Sequence, residues 1–322
     1  MIKKFANDIY QFDLPMDYSP IGNVNCYLIK GDERSLLVDT GCTRENCRRK
    51  LRGYLEELGV EKGSLDIFLT HGHLDHIGSA ELLSNPETVV YISEKEYLMT
   101  KNLTNLHYWQ DIEQYFMENG WPADAEHAYF VAAYQQSQGF RLDCKLKYIS
   151  DGDIIAAAGR KFQVVLTPGH TKEHMSLWDV ENNMIFVGDL IVEGFYPALY
   201  YRERALDMLN MYQQSLEKIK NTKASILFSG HKQPIYDTQK CCDDALRHYG
   251  KIRDKVWSAL NAESGDAFSL AQRMYKEKWE LFPVRKKWFY TAGVLSCLES
   301  FWLNERAEKS CHNGVTSFFA DK

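Results

Sequence analysis

The chain has 322 residues, of which 45% are hydrophobic and 13% aromatic, so it carries enough apolar side chains to bury a large core. This composition excludes an intrinsically disordered chain. The 38 basic and 44 acidic residues give a net charge of −6 at pH 7, which argues against a broad nucleic-acid-binding surface. We therefore expect a globular protein with one large domain and an accessory segment.

The N-terminal residues lack the apolar core of a secretion signal, and no apolar run approaches the length of a membrane span. These features predict a cytoplasmic protein without a membrane span. The eight cysteines include no Cys-x-x-Cys spacing, so reduced thiols are expected. Cys42 and Cys47 could pair or bind a metal, but a helix start and an amphipathic helix position are the commoner explanations for them.

The first half of the chain predicts strands around one helix, in an αβ arrangement. Strand-like segments lie near 24–30, 35–39, 65–70 and 88–92, and a helix lies at about 44–58. A second half begins near Lys145. Residues 94–140, between the halves, are rich in helix formers and aromatic residues, which predicts an inserted helical segment.

Four side chains that commonly bind metals follow the apolar stretch 65–69, at the end of a predicted strand. They stand in the run Thr-His-Gly-His-Leu-Asp-His and are His71, His73, Asp75 and His76. Gly72 allows a tight backbone path between the first two. Imidazole and carboxylate together suit zinc, iron or manganese. Since the chain has only 10 histidines, chance is a poor explanation for this cluster, and we predict a metal site.

The inserted segment 94–140 directly follows this loop and its helix, so it could cover the metal site as a lid or form a wall for an apolar part of a substrate. Its aromatic and histidine residues include Tyr97, His107, Tyr108, Trp109, Tyr115, Phe116, Trp121 and Tyr134. Packing of these rings within the protein is an equally good explanation for most of them. We expect His107 to be a surface or packing residue.

Three later strand ends repeat the pattern of an apolar run, a glycine and a potential metal ligand. The ligands at these positions are His170, Asp189 and His231. Ends of buried strands converge at one edge of a sheet, where α/β proteins tend to bind ligands. Tyr196, Tyr200 and Tyr201 follow Asp189, and we expect one of them to donate a hydrogen bond to a substrate.

Beyond residue 234 the sequence pattern becomes helical, which predicts a helical C-terminal region over residues 236–322. The expected helices are Ala245–Leu260, Leu270–Trp279 and Lys286–Arg306. The region is rich in tryptophan and phenylalanine, enough to pack on the main domain or on a second subunit. A homodimer is therefore one of the two arrangements that the sequence leaves open.

These motifs together resemble the metallo-β-lactamase superfamily, which includes glyoxalase II, acyl-homoserine lactonases and ribonuclease Z. The segments Asn25-Cys-Tyr-Leu-Ile and Leu36-Leu-Val-Asp-Thr-Gly resemble its opening strands, and the histidine loop and later ligands follow in order. The resemblance implies an α/β fold, the αββα metallo-β-lactamase sandwich, over a catalytic domain of residues 1–235. Residues 236–322 lie outside it.

The resemblance also implies two metal sites that share one ligand. The first metal would be bound by His71, His73 and His170, and the second by Asp75, His76 and His231, with Asp189 bridging both. Asp39 matches an acidic position that braces the histidine loop without binding metal. His174 matches a structural histidine of the family. The residues between His170 and His174 depart from many relatives, since they include Lys172 and Glu173, which affects loop shape more than metal binding.

The resemblance favours a binuclear hydrolase with two divalent ions, zinc in the first place and iron or manganese as alternatives. Five histidines and two carboxylates would leave two such ions about two net positive charges, so a bridging water would become hydroxide near neutral pH. That hydroxide would attack a small-molecule ester, thioester or lactone, with Asp75 as the catalytic proton-transfer residue. The alternatives are a phosphodiesterase of the same fold and an iron-dependent redox enzyme or sensor.

Overall fold

The computed structural model describes residues 1–16, 21–122, 135, 137, 140–142, 144–199 and 204–321. They fall into two compact units. The first unit comprises Met1–Lys101, Gly139–Pro197 and Ser215–Cys242, and the second comprises Asn102–Gln138, Ala198–Gln214 and Asp243–Lys322. The predicted division at residue 235 stays a prediction. In the described parts of the chain, no helix is both long and apolar enough to cross a membrane.

The first unit contains a seven-stranded sheet in which the strands follow one another in chain order. Its strands are β1 (Ile2–Lys4), β2 (Ile9–Leu14), β3 (Val24–Ile29), β4 (Ser35–Val38), β5 (Leu65–Phe68), β6 (Val90–Ile92) and β7 (Leu146–Tyr148). Neighbours are antiparallel from β1 to β4 and parallel from β4 to β7. The predicted strands of the first half are confirmed, whereas β1 and β2 were not predicted.

A five-stranded sheet with the order β12-β11-β10-β9-β8 is also part of the first unit. Its strands are β8 (Ile154–Ala157), β9 (Arg160–Leu166), β10 (Met175–Asp179), β11 (Met184–Gly188) and β12 (Ile226–Ser229). Only the β11–β12 pair is parallel among these described strands. The strands predicted to precede His170, Asp189 and His231 are β9, β11 and β12, so all three predictions are confirmed.

The helices of the described residues occur in both units. They are α1 (Glu45–Glu57), α2 (Leu74–Ile77), α3 (Ala80–Leu83), α4 (Glu94–Leu103), α5 (Leu106–Met117), α6 (Met208–Thr222), α7 (Thr238–Ala262), α8 (Ala267–Met274) and α9 (Val284–Leu303). The predicted helix at 44–58 is α1, and the three predicted C-terminal helices correspond to α7, α8 and α9 with shifted boundaries.

The two sheets of the first unit pack face to face, with helices outside them. Successive residues of β4 point to opposite faces of its sheet. Leu36 and Val38 belong to the apolar cluster between the sheets, which contains Phe186 of β11. Leu37 belongs to the cluster on the other face, which contains Leu51 of α1. On the second sheet, the Ser215 hydroxyl group and Lys218 Nζ of α6 donate to the carbonyl groups of residues 168 and 166 at the end of β9. The result is the predicted αββα sandwich.

The end of the chain corrects the prediction that residues 236–322 are helical throughout. Strands β13 (Ala307–His312) and β14 (Val315–Ala320) form an antiparallel hairpin in the second unit. Its two-residue turn is Asn313-Gly314, with φ of 51° and 81°. Asn-Gly is the pair that such tight hairpin turns prefer, because both positions need positive φ. The sequence signal for this hairpin is therefore present at residues 313–314, although no hairpin was predicted there.

Aromatic rings dominate the core of the second unit. Phe116 of α5 stacks on Trp288 of α9 with ring centroids 5.2 Å apart, and Phe268 of α8 contacts both Trp121 and Trp279 edge to face at 5.4 Å. These contacts support the packing interpretation for the rings that they involve. Tyr134, also among the predicted aromatic residues, lies outside the described residues. Six of the seven tryptophans belong to this unit, and Trp178 of β10 belongs to the first.

Candidate metal centre

The seven predicted ligands come together at the strand ends of the first unit. The histidine loop follows β5, and α2 begins at Leu74, so that Asp75 and His76 lie in its first turn. The remaining three follow β9, β11 and β12. Each of the seven side chains belongs to at least one of three overlapping groups, and within each group the candidate donor atoms lie within 4.8 Å of one another. The groups are His71, His73 and His170; His71, His76 and Asp189; and Asp75, His76 and His231. The convergence expected at the sheet edges is thus present, and metal binding by these residues stays a prediction.

The first group consists of three imidazoles. His73 Nδ1 lies 3.0 Å from His71 Nε2 and 3.0 Å from His170 Nε2. Ligand atoms about 3.3 Å apart are expected around a tetrahedral zinc ion with Zn–N bonds of about 2.0 Å. His71 Nδ1 is hydrogen-bonded to the Thr70 hydroxyl group at 3.0 Å, so Nε2 is the nitrogen that faces the other two imidazoles. The three nitrogens therefore fit a divalent cation.

The second group has a mixed donor set of one carboxylate and two imidazoles. Asp75 Oδ2 lies 3.5 Å from His231 Nε2 and 3.9 Å from His76 Nε2. His76 and His231 are buried, whereas the Asp75 side chain is 25% exposed. Asp75 is therefore the residue of this group whose side chain contacts solvent.

Asp189 lies between the two groups. Its Oδ2 is 3.4 Å from His231 Nε2 in the second group and 3.7 Å from His170 Nε2 in the first, while Oδ1 is 3.4 Å from His76 Nε2. Among the described residues, Asp189 Oδ1, His76 Nε2 and His231 Nε2 are buried without a hydrogen-bond partner. Buried polar atoms without partners are costly, and a bound cation would satisfy all three.

Hydrogen bonds outside the two groups orient the imidazoles. Asp39 Oδ2 accepts from His76 Nδ1 at 2.8 Å, and its Oδ1 accepts from the Thr70 N–H group at 2.9 Å. His231 Nδ1 donates to the Asn23 carbonyl oxygen at 2.8 Å. The two bonds made by Nδ1 leave the Nε2 atoms of His76 and His231 facing the centre. The role predicted for Asp39 agrees with these contacts, whereas the sequence analysis did not identify Thr70 or Asn23.

The neighbouring imidazoles and carboxylates of the centre shift one another's pKa values. Burial lowers the pKa of His231, but Asp189 and Asp75 outweigh burial and raise it to about 10. Burial raises the pKa of Asp189, but His231 and His76 outweigh burial and hold it well below its usual value. Burial, reinforced by His76 and His73, holds the pKa of His71 well below its usual value, so this imidazole is neutral, as metal ligation requires.

Two glycines allow the strand ends to approach each other. A Cβ atom at Gly230 would lie 2.4 Å from Asp189 Oδ1 and 2.6 Å from His76 Cε1. At Gly188, which has a φ of +48°, a Cβ atom would lie 2.7 Å from His174 Nε2. The glycines that precede Asp189 and His231 thus make room for side chains from neighbouring segments, and at Gly230 these are two of the candidate ligands.

Glu96 of α4 contacts both ligand loops and was not identified from the sequence. Its side chain is 2% exposed and accepts hydrogen bonds from the backbone N–H groups of Gly72 at 2.7 Å and Glu173 at 3.1 Å. Burial raises the pKa of this carboxyl group, and the Thr171 side chain and the two N–H groups lower it in part. An isolated glutamate in a predicted helix carries no sequence signal for such a role.

The other predicted residues have simpler positions. His174 is buried, and its Nδ1 lies 2.9 Å from the Thr167 hydroxyl group, in agreement with a structural role. His107 is exposed. Cys42 and Cys47 are free thiols, and the Cys42 N–H group donates to Cys47 Sγ at 3.2 Å.

Of the three tyrosines that follow Asp189, Tyr196 is half-buried. Tyr200 and Tyr201 lie outside the described residues. A hydrogen bond from one of them to a substrate stays a prediction.

The family model of the metallo-beta-lactamase superfamily matches residues 20–231. The chain therefore belongs to this superfamily. Within it, the chain is 26% identical over 325 residues to the "Probable metallo-hydrolase YqjP" of Bacillus subtilis, covering 98% of each sequence. It is also 23% identical to the human "Acyl-coenzyme A thioesterase MBLAC2", covering 66% of this chain and 75% of that protein. The chain is thus a metallo-hydrolase by class.

Two solved structures share the fold over nearly the whole chain. A metallo-beta-lactamase family protein of Thermus thermophilus superimposes with a TM-score of 0.78 and 23% identity, covering 98% of this chain and 99% of that one. A beta-lactamase domain protein of Burkholderia ambifaria superimposes with a TM-score of 0.82 and 17% identity, covering 99% and 95%. At these identities the likeness is one of fold.

Proposed function

We propose that this protein is a binuclear metal-dependent hydrolase that cleaves an ester, thioester or lactone of a small molecule. The observation that carries the proposal is the position of Asp189, whose Oδ2 faces His170 of the first group and His231 of the second. The names of relatives support an acyl substrate, since they include the acyl-coenzyme A thioesterase and a "Hydroxyacylglutathione hydrolase GloC" of Haemophilus influenzae, 26% identical over 178 residues (53% of this chain and 68% of that protein).

The residues of the first group would hold one divalent ion and those of the second group another, with Asp189 facing both. When bound, two such ions supply an activated water at neutral pH and polarise a carbonyl group. The protein supplies orientation, because Asp39 fixes the ring of His76 and the Asn23 carbonyl oxygen fixes that of His231. Zinc fits this nitrogen-rich donor set best, and iron and manganese accept the same ligands.

Asp75 is the residue that we propose handles a proton during the reaction. Burial raises the pKa of Asp75, but His76 and His231 outweigh burial and hold it below its usual value, so the carboxylate is ionised. Its Oδ2 faces the two imidazoles, which leaves Oδ1 for this task. The exposure of its side chain gives the proton a route to solvent.

Metal content is the first test of the proposal. Mass spectrometric metal analysis of protein purified without chelator should find close to two zinc ions per chain, and fewer in Asp189→Ala. Thioesters, lactones and a phosphodiester would then be compared as substrates. Iron as the main metal together with oxygen consumption would favour redox chemistry, and little metal in either protein would contradict the site assignment.

An Asp75→Asn variant tests the proton-transfer role. Asparagine keeps the size and one oxygen of the side chain but cannot accept the proton, so kcat should fall by about a hundredfold at full metal occupancy. The measurement is steady-state hydrolysis of the best thioester, with metal content determined on the same sample. Asp8→Asn, which changes an exposed carboxylate that pairs with Lys4, serves as the control. Unchanged turnover in fully loaded Asp75→Asn would remove the role from Asp75.

A further inference from the structure

The beginning of α4 contacts both loops that carry the first group of candidate ligands. One loop contains His71 and His73, and the other begins at His170. Glu96 accepts one backbone N–H group from each loop, Gly72 through Oε2 at 2.7 Å and Glu173 through Oε1 at 3.1 Å. Each oxygen therefore serves a different loop, and the planar carboxylate fixes the separation of the two N–H groups.

Contacts around Gly72 show that α4 packs directly on the histidine loop. A Cβ atom at this position would lie 2.7 Å from Met99 Cε and 3.1 Å from both Glu96 Oε2 and Thr100 Cγ2. Since no side chain fits between loop and helix, a displacement of α4 would displace the peptide that joins His71 to His73.

The second loop is attached to the same helix start through Glu173. Lys95 Nζ donates to Glu173 Oε1 at 2.5 Å, and the Ser93 hydroxyl group donates to Oε2 at 3.5 Å. The side chain of Glu173 and its backbone N–H group therefore both bind the start of α4.

We propose that Glu96 is a positioning residue that couples the His71–His73 loop to the His170 loop and thereby sets the metal affinity of the first group. The three nitrogens of this group come from both loops. His73 Nδ1 lies 3.0 Å from His71 Nε2 and 3.0 Å from His170 Nε2. A rigid link between the loops keeps this spacing before a metal binds, so less ordering is needed on binding. The inference rests on the proposed binuclear function.

Glu96→Gln is the decisive variant. Glutamine has the shape of glutamate, but its NH2 group would face one of the two N–H donors, so one loop would lose its hydrogen bond. We expect one of the two Zn²⁺ ions to bind at least about tenfold more weakly, as is common when a residue that orients ligands is changed. Competition with a chromophoric chelator gives the affinities, and the visible spectrum of the Co²⁺-substituted protein should change with the ligand geometry.

Two further variants make the test selective. Glu94→Gln changes an exposed glutamate at the start of the same helix and should keep both affinities and the Co²⁺ spectrum. Glu96→Asp keeps the charge but is too short to reach both loops, so it should weaken the same ion, and it replaces Glu96→Gln if that variant does not fold.

Thermal unfolding of the metal-free proteins separates positioning from general stability. If Glu96→Gln keeps the wild-type Zn²⁺ affinities and Co²⁺ spectrum, even with a lower unfolding midpoint, the inference is overturned but the proposed function is not. Failure of the wild-type protein to bind two ions would overturn it together with the proposed function.

Discussion

Asp39 determines which nitrogen of His76 faces the metal centre. The residue has a φ of 59°, in the left-handed region that aspartate and asparagine tolerate better than most residues. Its carboxylate accepts from His76 Nδ1, and this bond leaves His76 Nε2 unprotonated when the imidazole is neutral. The protonation pattern of a candidate ligand is therefore set by a residue 37 positions earlier in the chain.

Asp39→Asn should lower metal affinity at the second group. Asparagine tolerates the same backbone conformation and can still accept from the Thr70 N–H group, but its NH2 group would face His76 Nδ1. His76 would then carry its proton on Nε2 and could not bind metal, so we expect affinity to fall by about tenfold to a hundredfold. Zn²⁺ competition titration measures this loss.

Asp66→Asn is the control for Asp39→Asn, because Asp66 is a buried carboxylate of β5 that pairs with Arg34. It should cost stability while leaving metal affinity intact. Equal metal affinity in Asp39→Asn and the wild-type protein would contradict the orienting role of Asp39.

Single residues also show what the sequence could reveal. The seven candidate ligands were identified because their residue types are chemically specific and repeat after apolar runs. Asp39 was identified only through the family resemblance. Glu96, Thr70 and Asn23 could not be identified, because they act through hydrogen bonds that exist only once distant segments meet.

At the level of elements, the strand ends place the candidate ligands, and Gly188 and Gly230 allow neighbouring segments to approach closely. Helix α1 was predictable because its buried residues Cys47, Leu51 and Leu55 recur at helical spacing. Strands β3 to β6 were predictable as short, mostly apolar runs, and they are buried at every position. Strands β1 and β2 were not predicted, although β2 is mostly buried. The turn at Asn313-Gly314 was visible in the sequence as a turn pair between two short strands.

Gly230→Ala should disrupt the metal centre. The added methyl group would meet Asp189 Oδ1 and His76 Cε1 at distances that no relaxed structure tolerates, so both side chains must move. We expect the variant to fold but to retain less than about half of the wild-type metal, because both groups lose a donor. Metal analysis and circular dichroism together test this expectation. A fully loaded Gly230→Ala protein would contradict the geometry described here.

Gly53→Ala is a matched change with the opposite expected effect. Gly53 lies in the exposed face of α1, and a Cβ atom there would meet nothing within 4 Å. Alanine has a higher helix propensity than glycine, so the free energy of unfolding should rise by about 0.5–1 kcal/mol without a change in metal content. Denaturant unfolding measures the rise. A lower stability would show that α1 does not tolerate this side chain.

At the level of the whole molecule, metal binding and folding are linked. All seven candidate ligands belong to the first unit and come from four strand ends, so the centre exists only when both sheets are formed. An ion that binds the folded chain alone stabilises it by about 2.7 kcal/mol when its concentration is 100 times its Kd. The fold class and the strands that precede the candidate ligands could be predicted from the sequence, but the strand order of the two sheets and the grouping of residues 102–138 and 198–214 with the C-terminal residues could not.

Removal of metal should therefore lower thermal stability. Chelator treatment followed by desalting should lower the unfolding midpoint by about 5 °C or more, and Zn²⁺ should restore it. Far-ultraviolet circular dichroism monitors the transition. Asp189→Ala should show a much smaller response to chelator. Identical midpoints for the metal-loaded and metal-free wild-type protein would contradict the linkage.

The distribution of tryptophan gives the molecule two separate optical reporters. Six of the seven tryptophans belong to the second unit, whereas every candidate ligand belongs to the first. Tryptophan emission therefore reports mainly on the second unit, and the absorption bands of bound Co²⁺ would report on the first. Following both signals during one denaturation would reveal whether the two units lose their structure together or one after the other, without any added label.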